Sequence, residues 1–145
     1  MEISNCMNQN TVDKLAERII NETNSAVSCL TLYLGHKLDL FNSLKSEGPV
    51  ASEELSKKKF SERYLLEWLE CMTANGYIDY DPSTRKFSIS EEHVRVLCDR
   101  DSTAYTIPFV YWAPTLSLAT DRLLEAFKTG KGVPYSAYGK EVLYA

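Results

Sequence analysis

Apolar residues recur at helical spacing almost from the start of the chain: Val12, Leu15, Ala16 and Ile19, then Ala26, Val27, Leu30 and Leu34. Residues three and four apart share one face of an α-helix, so the pattern predicts a long amphipathic helix, with Thr11 as its N-cap. The preceding residues 1–10 are polar and read as frayed. Such a stripe serves either to pack the helix on its own core or to bind a second copy. The second use is open because the stripe is long and lies outside the compact motif that follows. Leu15, Ile19, Val27 and Leu30 are the candidate association residues.

Gly35-His36-Lys37 reads as an interruption, after which Leu38 to Leu44 continue as a short helix closed by Gly48-Pro49. Ser52-Glu53-Glu54-Leu55 then has the form of a helix start, with Ser52 as the cap, and this helix ends near Lys59-Phe60. Ser61 caps the next helix, in which Tyr64, Leu65, Trp68, Leu69 and Met72 fall on one face, and Asn75-Gly76 ends it. Tyr77–Tyr80 and Phe87–Ile89 read as two strands joined by the turn residues Asp81-Pro82-Ser83-Thr84. A hairpin placed directly after the second helix of a helix-turn-helix unit makes a winged helix. The expected fold is therefore mainly α: a winged helix-turn-helix with a two-stranded β-wing and additional helices at both ends. Beyond the wing, Ser90–Leu97 predicts another helix, Tyr105, Phe109, Tyr111 and Trp112 form an aromatic cluster interrupted by Pro108 and Pro114, and Leu116–Phe127 predicts a last amphipathic helix stopped at Gly130.

Composition narrows the function classes. The chain has 145 residues, 44% of them hydrophobic and 25% charged, with a net charge of -4, which is ordinary for a globular domain. An acidic balance gives no general attraction to phosphate backbones or anionic lipid. Cys6, Cys29, Cys71 and Cys98 are scattered, without the paired spacing of a zinc or redox site. The start of the chain lacks a basic segment followed by an apolar one, and no apolar run approaches membrane-spanning length. The expected location is the cytoplasm.

The segment Leu32-Tyr33-Leu34-Gly35-His36-Lys37-Leu38-Asp39-Leu40-Phe41-Asn42-Ser43-Leu44, the turn Gly48-Pro49, the helix Ser52-Glu53-Glu54-Leu55-Ser56 and the run from Ser61 to Tyr77 follow one another in an order that resembles the front part of class I S-adenosylmethionine-dependent methyltransferases acting on small molecules. The wing from Tyr80 to Phe87 and Gly130-Lys131-Gly132-Val133-Pro134-Tyr135 are similar too, so the resemblance runs from about Val12 to Gly139. It implies a dimerisation domain that helps wall a substrate pocket, followed in the whole enzyme by a Rossmann-like domain that binds S-adenosylmethionine. On that reading residues 11–130 are the winged-helix dimerisation domain, and residues 131–145 lead toward a cofactor-binding domain that this sequence does not contain. The expected partners are a second copy, that catalytic domain and, in the full-length enzyme, a small-molecule substrate.

No chemistry of its own is legible in the chain. Gly130-Lys131-Gly132 follows a predicted helix rather than a strand and precedes Pro134, so it reads as a helix stop and not as a cofactor-binding turn. His36 and His93 have no nucleophile or acid placed nearby as in a catalytic set. No catalytic, cofactor-binding or metal-ligating residue is assigned, and the chain alone is expected to be inactive. Tyr105, Phe109, Tyr111 and Trp112 are either core or hidden by another domain, or they line a substrate pocket that a second domain completes.

Two other functions are compatible with a winged helix: a stand-alone dimerisation module and a DNA-binding regulator. The second helix argues against the latter. Residues 61–75 carry three carboxylates (Glu62, Glu67, Glu70) and one cation (Arg63), a net charge of −2, where a recognition helix needs cations and amides. Lys57-Lys58-Lys59 is the one basic run, and a solvated face accounts for it.

Overall fold

The computed structural model describes residues 8–57 and 59–139. Helix α1 runs from Gln9 to Lys37, about 43 Å at 1.5 Å per residue. Its N-cap is Asn8 rather than Thr11: the Asn8 side chain accepts from the Thr11 N–H, so the helix starts earlier than the apolar pattern suggests. Nor do Gly35, His36 and Lys37 interrupt it, since all three lie inside α1. The break comes at Asp39, which adopts a left-handed φ of 61°, a conformation that Asp tolerates better than most residues. The Asp39 carbonyl accepts the Ser43 N–H and starts α2, Leu40–Glu47.

Gly35 is present for space. A methyl group there would lie 2.3 Å from Cζ2 of Trp68 and 2.9 Å from Cε2 of Phe41. The Trp68 indole lies against this bare stretch of backbone and donates its N–H to the Thr31 carbonyl at 3.0 Å. Phe41 meets Trp68 edge-on, ring centroids 5.2 Å apart. Around this contact Leu32, Leu40, Leu44, Leu55, Leu65, Leu69, Met72 and Ile78 form the buried core.

Helices α3 (Ser52–Ser56) and α4 (Glu62–Ala74) make the helix-turn-helix. Ala51 holds the N-cap position of α3 and Ser52 is the first helical residue, so Ser52 does not cap. Ser61 does stand at the N-cap of α4, although its side chain makes no capping bond. On α4, Leu65, Trp68, Leu69 and Met72 turn inward as expected, but Tyr64 is exposed. The helix ends as Asn75-Gly76 implies. Gly76, with φ 74°, donates to the Thr73 carbonyl, and Tyr77 donates to that of Met72. This left-handed closure satisfies two carbonyls of the last turn and withdraws Tyr77 from the strand expected there.

Strands β1 (Asp79–Asp81) and β2 (Lys86–Ser88) pair antiparallel, with Tyr80 opposite Phe87. Asp81 organises the turn: Oδ1 accepts from the Ser83 N–H and hydroxyl, and Oδ2 from the Thr84 hydroxyl. These bonds hold its carboxyl down at about 2. Val50 and Phe87 exchange both backbone hydrogen bonds at 2.9 Å, which fastens the wing to the loop before α3.

Helix α5 (Glu91–Leu97) is capped by the Ser90 hydroxyl. A 3-10 helix (Ile107–Tyr111) follows, then α6 (Trp112–Leu118) and α7 (Thr120–Thr129). The single helix expected over 116–127 is thus split at Ala119, which is fully buried and closes α6 while starting α7. Pro108 and Pro114 lie in the first turns of their helices, where a missing N–H interrupts nothing. Gly130, with φ 71°, closes α7, and residues 131–134 lead to a short 3-10 helix, Tyr135–Tyr138. Of the terminal segments read from sequence, residues 1–7 and 140–145 lie outside the described residues.

Candidate functional site

Two surfaces hold the residues singled out from the sequence. The first is α1. Leu15, Ile19, Val27 and Leu30 are between 44% and 58% exposed, and Leu34 and Leu38 extend the same bare stripe. The helix docks by its other side: Leu32 and Gly35 are buried, and Trp68 covers Gly35. Leu30 and Leu34 each lie two residues from Leu32, roughly 160° around the helix at about 100° per residue. The stripe therefore faces away from the core that anchors the helix, and no described residue of the chain buries it. It continues into a groove of about 370 Å³ lined by Leu34, Leu38, Phe60, Tyr64 and Trp68.

The second surface is the aromatic segment, and the structure divides it. Tyr105 and Tyr111 turn toward α1 and converge on His36. The Tyr111 hydroxyl lies 3.0 Å from His36 Nδ1, and the Tyr105 hydroxyl 3.0 Å from Nε2. Tyr33 meets Tyr111 edge-on at 5.0 Å, and Lys37 Nζ stands 5.8 Å from the centre of the Tyr111 ring. Phe109 and Trp112 point outward, 65% and 41% exposed. Beyond them the apolar side chains of Leu116, Leu118 and Leu124 are also exposed, and Phe127 is 91% so. The four aromatic residues therefore do not form one cluster. Two belong to a half-buried polar knot, and the other two are exposed side chains.

His36 is the residue that sequence reasoning missed. Its partners lie 69 and 75 residues away, and nothing local marks the pairing. Burial lowers its pKa first; the neighbouring Arg100 and Lys37 lower it further, while Asp39 acts in the opposite sense. The ring is thus neutral at neutral pH. One nitrogen then donates to a tyrosine oxygen while the other accepts from a tyrosine hydroxyl. Because the folded chain resists this proton, the unfolded chain binds it more readily. The stability from His36 is complete above its ordinary pKa of 6.5 and is lost as pH falls below it. Urea unfolding at about pH 7 and pH 5 is expected to show a smaller acid loss in His36→Gln than in the native chain. Equal losses in the two proteins would contradict this assignment.

His93 serves the fold: its Nδ1–H donates to the Tyr77 carbonyl at 3.0 Å, tying α5 to the end of α4. Cys29, Cys71 and Cys98 are free and half-buried, and burial pushes the Cys98 thiol up to about 11, which makes it a poor nucleophile. Cys6 lies outside the described residues. Among the described residues no three His, Cys, Asp or Glu side chains gather as metal ligands, and no helix is long and apolar enough to cross a membrane.

A groove of about 610 Å³ runs between α3, α4 and the wing, lined by Glu53, Glu62 and Glu70 with Arg85. In a winged helix this is the side that nucleic acid would approach, and here its carboxylates outnumber its cations and repel phosphate. For S-adenosylmethionine the requirement is a strand, a glycine-rich turn and a helix. The described strands form only the wing, and Gly130-Lys131-Gly132 follows α7 as its stop. The described residues do not fit that cofactor.

Comparison with known proteins agrees with this architecture. No curated protein matches the sequence. Among solved structures, the chain is similar to the crystal structure of N,N-8-amino-8-demethyl-D-riboflavin dimethyltransferase (RosA) from Streptomyces davawensis, with a TM-score of 0.67 and 20% identity over 85% of this chain and 35% of that one. It is also similar to the mitomycin 7-O-methyltransferase MmcR, with a TM-score of 0.62 and 19% identity over 89% of this chain and 37% of that one. At these identities the likeness is one of fold, and the chain spans about a third of the length of either enzyme. The family of Rv2258c-like winged HTH domains matches residues 26–99. That span takes in the C-terminal part of α1, the helix-turn-helix, the wing and α5, and the chain belongs to this family.

Proposed function

We propose that the chain is the dimerisation and substrate-pocket domain at the front of an S-adenosylmethionine-dependent methyltransferase, with the catalytic domain supplied by sequence beyond residue 145. The observation that carries the reading is the apolar stripe of α1, which faces away from its own core. A second copy, contributing the same stripe, is the occupant that symmetry offers. Leu15, Ile19, Val27 and Leu30 are its proposed contacts. The exposed side chains of Phe109, Trp112 and Phe127 are the proposed contacts of the catalytic domain, with Tyr105 and Tyr111 proposed as part of the substrate wall. Supporting this is a fold shared with two methyltransferases of which the chain spans about a third. Residues 131–139 are proposed as the beginning of the connection.

The chain contributes shape and association to such an enzyme, and the methyl donor belongs to the other domain. Purified residues 1–145, incubated with S-adenosylmethionine and a panel of phenolic and amine acceptors, are expected to transfer no methyl group. Turnover above the no-protein control would overturn the division of labour proposed here.

A further inference from the structure

We propose that His36 is a proton-controlled latch that fastens the 3-10 helix Ile107–Tyr111 to α1. Both ring nitrogens are engaged, one by the tyrosine before the 3-10 helix and one by the tyrosine that ends it: Tyr105 on Nε2 and Tyr111 on Nδ1, each at 3.0 Å. The imidazole thus grips the segment at its two ends, and it does so from a helix whose other face is the bare stripe.

A neutral ring fits this arrangement because it offers one donor and one acceptor, and a tyrosine hydroxyl can play either part. Protonation removes the acceptor. The hydroxyl that had donated to the ring loses that bond, and a charge is placed in a half-buried position. Among the described residues, Lys37 on α1 and Arg100 beyond α5 oppose the proton, and Asp39 favours it. Both ring nitrogens are engaged by tyrosine hydroxyls, so no described carboxylate bonds the ring directly. Hydration relieves the buried cation, and water reaches it when the 3-10 helix parts from α1. For the proposed pocket wall, the consequence is a wall that loosens in acid. That consequence rests on the function proposed above, whereas the latch does not.

Amide exchange of residues 107–111 in the full 145-residue chain tests it, measured between about pH 8 and pH 5, where histidine titrates, and corrected for the intrinsic pH dependence of exchange. Protection of Val110 and Tyr111 is expected to fall on acidification in the native chain and to stay level in His36→Gln, whose amide offers a donor and an acceptor that do not titrate. His93 is retained in that variant, so a fall of equal size there would assign the effect elsewhere and overturn the proposal. A second reading needs no variant. In NMR spectra of the native chain, the Tyr105 and Tyr111 ring signals are expected to shift with the same midpoint as the His36 ring, and a His36 titration that leaves them unmoved would also overturn it. Neither readout involves methyl transfer, so an inactive or unrelated enzyme leaves the result interpretable.

Discussion

Gly35→Ala is expected to lower stability by about 2 kcal/mol, within the roughly 1–3 kcal/mol for overpacking a filled core, even though alanine is the better helix former by about 1 kcal/mol. The added methyl would stand 2.3 Å from Trp68 Cζ2 and 2.8 Å from Cε2, so the indole or the helix has to move. The indole has little freedom. Its N–H is bonded to the Thr31 carbonyl one turn back on α1, its edge is against Phe41, and Trp68 itself is 7% exposed. Displacing it breaks that hydrogen bond and opens the contact by which α1 docks on α4. Thermal unfolding followed by circular dichroism is expected to show a midpoint lower by on the order of 10 °C. A midpoint equal to or above that of the native chain would mean that α1 does not approach α4 this closely.

The double substitution Ile19→Asp with Leu30→Asp is expected to convert dimers to monomers while leaving the fold intact. Both side chains are exposed in the single chain, at 55% and 44%, so neither contributes much to the core. In a two-fold dimer each substitution appears twice, giving four carboxylates along one helical interface. Complete burial of an aliphatic side chain contributes about 1.5–3 kcal/mol. With about half of each side chain left to bury, four of them give up about 3–6 kcal/mol, and the desolvation of four carboxylates adds several kcal/mol more, together enough to cancel the roughly 8 kcal/mol that holds a micromolar complex together. Sedimentation velocity is expected to show a dimer for the native chain and a monomer for the variant, with matching far-ultraviolet circular dichroism. A native monomer, or a dimer indifferent to both charges, would remove α1 from the interface.

The parts of this structure that were legible in the sequence are those whose chemistry is local. Gly76 at the end of α4, Asp81 with Ser83 and Thr84 in the turn of the wing, and Ser90 at the start of α5 each bond within a few residues of themselves. Their residue types announce the geometry. The apolar periodicity of α1 was legible as well, but whether the stripe packs on its own core or stays bare depends on Leu32 and Gly35 occupying the docking side. What could not be read depends on distant partners. Gly35 resembles a helix break until Trp68 is seen lying on it. His36 resembles an isolated polar residue until Tyr105 and Tyr111 arrive from the far side of the wing. The helix expected at 116–127 failed for a related reason. Its periodicity is continuous, but Ala119 is buried where α6 turns into α7, and a small apolar residue does not advertise a corner.

The proposed division of labour is tested most directly by reading the transcript beyond the codon for Ala145. If the chain is the front of such an enzyme, the frame continues into an apolar strand, a glycine-rich turn and a helix, the elements that a methyl-donor domain needs and that the described residues lack. A stop codon at that point would contradict it, leaving a winged-helix module whose α1 serves some other partnership.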